Sequence, residues 1–67
     1  MKIINMVLWK YAVVETTLGD FKVWENGTME RWNDDLVEFA WFDSDKFNAA
    51  DLDAIRDAGI VWIKHAK

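Results

Sequence analysis

Few side chains in this 67-residue chain are equipped for chemistry. It contains no cysteine and a single histidine, His65, within "KHAK". Nucleophilic catalysis needs a nucleophile paired with a base, and these residues offer no such pair. His65 reads as a solvated surface residue. Zinc favours sulfur and nitrogen ligands, so a zinc centre here would be almost wholly carboxylate, and none is expected. The stretch "DSDKFNAADLDA" sets out Asp43, Asp45, Asp51 and Asp53 with a superficial likeness to a calcium loop. Phe47, however, stands at a ligand position, Asn48 replaces the turn glycine, and Ala54 replaces the bidentate glutamate. The adjacent pair Asp34 and Asp35 has the right groups for proton transfer, but neighbouring acids are ordinary in turns. No phosphate-cradling glycine loop, GxSxG or HExxH is present. No catalytic residue, cofactor or metal is expected.

The acids are more informative as a charge pattern. Up to Asn33 the chain is neutral, with basic and acidic residues balanced. From Asp34 to Gly59 eight acids (Asp34, Asp35, Glu38, Asp43, Asp45, Asp51, Asp53 and Asp57) face only Lys46 and Arg56. One reading is a solvated, solubilising face, with Asp51 and Asp53 favoured by the helix dipole. Another is an electronegative surface that steers a basic partner, such as a nucleic-acid-binding protein. On the second reading, reversing Asp53 and Asp57 to lysine should slow association with that partner. Direct nucleic-acid binding is disfavoured, because phosphate contacts need a basic field and the net charge is −4.

The size of the chain limits how it can stay folded. A domain this short buries only about 60% of the surface its unfolded form exposes. Disulfides are excluded, yet 52% of the residues are hydrophobic, including five Trp and four Phe. More apolar surface is present than a single small core can hide, so self-association, through Trp9 and Tyr11 among others, is expected. Nothing in "MKIINMVLWKYAVV" reads as a secretory leader, and no stretch has the length of a membrane span. A cytoplasmic protein is expected.

The elements that must position these residues follow from periodicity. Residues Ile3 to Glu15 are β-branched, aromatic and apolar on both alternating faces, which predicts a strand covered on both sides. "TTLGD" predicts a turn at Gly19, followed by a strand from Phe21 to Glu25. Asn26-Gly27 is a hairpin signal. A two-residue loop there would pair Trp24 with Met29 and Phe21 with Trp32, placing Trp24 and Trp32 on opposite sides of the ribbon. A fourth strand, Leu36 to Phe42, is expected to turn Val37, Phe39 and Trp41 to the core. Asn48 then fits a helix N-cap, with Phe47 and Leu52 as a hydrophobic staple and Gly59 at the end. "IVWIK" (Ile60 to Lys64) predicts a final strand. The expected fold is a single α+β domain in ββββαβ order: a small, mostly antiparallel sheet with one helix packed on one face.

One helix cannot cover both faces of a sheet. The expected function is therefore a non-catalytic protein-interaction module, anchored by Trp24 or Trp32 and presenting the acids from Asp34 to Asp57 to a protein partner. Small size, acidity and aromatic excess are the general style of phage- or mobile-element proteins that inhibit a host factor. The competing readings are a small-ligand or nucleotide binder using Trp at a subunit interface, a single-strand nucleic-acid binder, and a structural assembly subunit.

Overall fold

The computed structural model describes residues 1–8 and 11–65. Five antiparallel strands lie in chain order: β1 (Ile3–Leu8), β2 (Tyr11–Thr16), β3 (Gly19–Trp24), β4 (Met29–Asn33) and β5 (Glu38–Ala40). A short 3-10 turn, Ser44–Lys46, leads to the helix α1 (Ala49–His65), which packs on one face, chiefly over β2 and β3. This is the small α+β sheet with one helix that the sequence predicts. Two elements differ in detail.

The long first strand is in fact a hairpin. β1 and β2 pair antiparallel, with Leu8 opposite Ala12 and Met6 opposite Val14. The pattern that looked like one doubly covered strand is two neighbouring antiparallel strands. The second difference is at the C-terminal end, where Ile60 to Lys64 continue the helix instead of forming a strand. Gly59 does not end it. Leu52, Ile55, Gly59 and Ile63 are its buried stripe, at helical spacing. Packing of that stripe outweighs the β preference of Ile60 and Val61. At its other end the helix begins as expected, with Asn48 Oδ1 accepting from Ala50 N at 2.8 Å and from Asp51 N at 3.4 Å.

The β3–β4 hairpin adopts a register one residue away from the expected one. Gly27 N donates to Trp24 O at 2.9 Å, and Trp24 N donates to Thr28 O at 2.8 Å. The loop is therefore Glu25-Asn26-Gly27, a type I turn closed by Gly27 at φ 90°. Asn26 Oδ1 secures it by accepting from Thr28 N at 3.0 Å. Val23 now faces Met29, Lys22 faces Glu30, and Phe21 faces Arg31. A slip of one residue sends every side chain of a strand to the other side. As a result Trp24 and Trp32 share one face of the sheet, and neither belongs to the core.

The core itself is small. Ala12, Val14, Phe21 and Val23 from the sheet meet Leu52, Ile55 and Ile63 from the helix. Phe21, Phe42 and Phe47 pack edge-to-face around one another at 5.4–5.8 Å. Arg31 roofs this trio, its guanidinium carbon 5.9 Å from the Phe21 ring and 5.4 Å from that of Phe47. Its Nη2 donates to Leu18 O at 2.7 Å, and the side chain passes over Gly19, where a Cβ would come within 2.8 Å of it. The expectation that Val37, Phe39 and Trp41 face the core is overturned. Ala40, opposite Arg31, lies on the core side, and Phe42 packs there. Phe39 points the other way, and Trp41 is 82% exposed. Val37 sits in the turn before β5, 71% exposed and at φ 54°, a conformation costly for a β-branched residue.

Two substitutions test this packing. A Cβ on Gly59 would lie 2.7 Å from Val23 Cβ. Gly59→Ala should therefore destabilise by about 1–2 kcal/mol in urea unfolding, despite alanine's better helix propensity. Val37→Asn, which suits the left-handed conformation, should raise stability by up to about 1 kcal/mol in the same measurement.

Candidate docking face

Strand alternation builds a second surface on the side of the sheet away from the helix. Tyr11 from β2 stands opposite Trp24 from β3. Trp32 from β4 stands opposite Phe39 from β5. Each pair meets edge-to-face, with ring centroids 5.0 Å apart for Tyr11–Trp24 and 5.2 Å apart for Trp32–Phe39. All four rings are half-buried. Between the pairs lies Lys22, its Nζ 4.3 Å from the Tyr11 centroid, 5.0 Å from Phe39 and 5.2 Å from Trp24. These distances are within the range of cation–π attraction. Glu30, opposite Lys22, accepts the Trp24 indole N–H at Oε1, 2.9 Å away, and so fixes that ring. Asp34 Oδ1 does the same for Trp32 at 3.0 Å.

Of the residues singled out from sequence, Tyr11, Trp24 and Trp32 come together here. Trp9 lies outside the described residues. The acids do not form one surface. Asp34, Asp35 and Glu38 surround the exposed β4–β5 turn, next to Trp32, where Asn33 Oδ1 accepts from Asp35 N at 2.9 Å and from Leu36 N at 3.1 Å. A shallow hollow of about 350 Å³ opens there between Trp32, Asp34, Asp35 and Trp41. Asp43 caps the 3-10 turn by accepting from Asp45 N at 3.0 Å. Asp53 and Asp57 are exposed on α1, and Asp53 pairs with Arg56. Because α1 covers the other side of the sheet, these helix acids point away from the aromatic face. The acidic stretch is thus divided: Asp34 and Asp35 adjoin Trp32, whereas Glu38, paired with Asn33, lies on the alternate side of β5 from Phe39.

Lys22, Glu30 and Phe39 are members of this face that sequence reasoning did not select. Phe39 was assigned to the core by a strand pattern that begins too early. Lys22 and Glu30 become neighbours only in the three-residue-loop register.

His65 is exposed at the end of α1. No group of three His, Cys, Asp or Glu side chains among the described residues is arranged to hold a metal ion. No helix among them is long and apolar enough to cross a membrane. Compared with protein-family models, with curated proteins and with solved structures, the chain matches none.

The indole anchor gives a direct check on the face. Glu30→Ala removes the acceptor for a half-buried N–H, and should cost about 1 kcal/mol in urea unfolding. It should also weaken the near-ultraviolet circular dichroism of the tryptophans, because Trp24 is no longer held.

Proposed function

We propose that the protein is a non-catalytic interaction module whose docking face is the helix-free side of the sheet. The observation that carries this reading is the cluster of Tyr11, Trp24, Trp32 and Phe39 on a face that no helix covers among the described residues. Aromatic side chains of this kind dominate binding energy at protein interfaces. They form a pre-packed surface whose rings already brace one another, which lowers the ordering cost of docking a protein partner.

The charge beside this face favours a basic partner. Asp34 accepts the Trp32 indole N–H and Asp35 shares a hollow with that ring, and acids at the rim of an interface act mainly on association rate. Asp53 and Asp57, on the far side of the molecule, would contribute only at long range. With no partner present, two copies compete for the same face, so self-association belongs to this reading. Inhibition of a host factor is one use such a module would serve.

Solution mass over a dilution series tests the proposal. Concentrated protein should exceed the single-copy mass of 7.9 kDa and return to it on dilution. Trp32→Asp should abolish the excess while leaving far-ultraviolet circular dichroism unchanged. A mass fixed at 7.9 kDa throughout, with indole emission typical of shielded rings, would overturn the reading. For charge, binding of a polylysine probe at low salt should slow several-fold in Asp34→Lys/Asp35→Lys, and much less in Asp53→Lys/Asp57→Lys. Equal effects would remove the turn acids from the docking face.

A further inference from the structure

We infer that Tyr11, Trp24 and Phe39 form a cage for an alkylammonium group, occupied in the free protein by the chain's own Lys22. The inference rests on the helix-free face being the docking face, and it specifies what a basic partner would place there: a lysine side chain, held best when methylated.

The occupant is visible. A single ammonium nitrogen lies 4.3, 5.0 and 5.2 Å from the centroids of three rings contributed by three different strands. Convergence of three electron-rich ring faces on one cation is the arrangement that recognises quaternary ammonium ligands. The walls have their own supports. Trp24 is held by its hydrogen bond to Glu30 and by its edge contact with Tyr11, and Phe39 is braced by Trp32. Glu30 also adds a carboxylate to the same face, directly opposite Lys22 in the sheet.

Lys22 is a tethered competitor, so an incoming cation must displace it. A primary ammonium has no advantage in that exchange, because it must shed the same tight hydration shell without the benefit of the tether. A trimethylated ammonium is larger and weakly hydrated, so it loses less on entering a ring of aromatic faces. The long, flexible stem of Lys22 lets its charge return to water when the guest arrives.

The test uses N-acetyl-trimethyllysine amide and its unmethylated counterpart, titrated against dilute protein and followed by the Trp24 indole N–H resonance. In the wild-type chain, the ε-methylene resonances of Lys22 should be shielded by the rings and should move to ordinary positions as the methylated probe binds. Lys22→Ala empties the cage and should bind that probe about fivefold more tightly than wild type. Lys22→Met fills the cage with a neutral side chain and should show no such gain. The unmethylated probe should bind more weakly throughout. Unshielded Lys22 resonances in the free wild-type protein would overturn the cage, even if Lys22→Ala does not fold. So would equal affinity of Lys22→Ala and Lys22→Met for the methylated probe. Either result leaves the docking proposal standing, whereas a fixed single-copy mass removes docking whatever the cage binds.

Discussion

The register of the β3–β4 hairpin governs what each side of this molecule is made of. Gly27, at φ 90°, closes a three-residue loop, and from that loop the pairing Val23–Met29, Lys22–Glu30 and Phe21–Arg31 follows. With this pairing Phe21, Val23 and Met29 join the helix side, and Lys22, Trp24, Glu30 and Trp32 join the other. A two-residue loop would have set Lys22 directly against Arg31 and Val23 against Glu30. Like charges facing each other across a ladder are destabilising, and a carboxylate would have shared a face with the core residue Val23. The turn and the cross-strand chemistry therefore select the same solution, and the core and the aromatic face both depend on it.

Helix and sheet fit together at one close approach. Gly59 lies in the middle of the buried stripe of α1, against Val23, where a methyl group has no room. The absent side chain lets Ile55 and Ile63 reach the sheet on either side of that point. At the other end of the sheet the three phenylalanines and Arg31 do the equivalent work with large groups. The aliphatic core of Val14, Val23, Leu52, Ile55 and Ile63 is thus bounded by a glycine at the closest helix–sheet contact and by packed aromatic rings elsewhere.

Much of this was legible in the residues. Asn48 as a cap, the turn leading into Gly19 and the hairpin at Asn26-Gly27 are readable, as is the overall α+β class. Between Leu8 and Tyr11 the sequence has no Gly, Pro, Asn or Asp, so local chemistry gives no sign that β1 and β2 are separate strands. Gly59 was misread because a glycine near a helix end commonly stops it, and only the facing strand reveals the contact that requires it. Val37 and Trp41 alternate as core residues would, but a left-handed residue at Val37 shortens β5 and breaks the alternation. The sequence leads one to expect an uncovered aromatic sheet face, and Tyr11, Trp24 and Trp32 do share the helix-free side. Its central residue, Lys22, was out of reach, since its neighbours depend on a loop length that Asn-Gly alone does not specify.

Alternation along β3 and β4 has a consequence for how such a protein can change over time. Within the strands the odd-numbered Phe21, Val23, Met29 and Arg31 serve the interior, and the even-numbered Lys22, Trp24, Glu30 and Trp32 serve the other face. Substitutions at Lys22, Trp24, Glu30 and Trp32 therefore leave the buried layer under α1 almost untouched. The outer face can diversify while the scaffold beneath it stays the same, because the two sets of side chains share a backbone and little else.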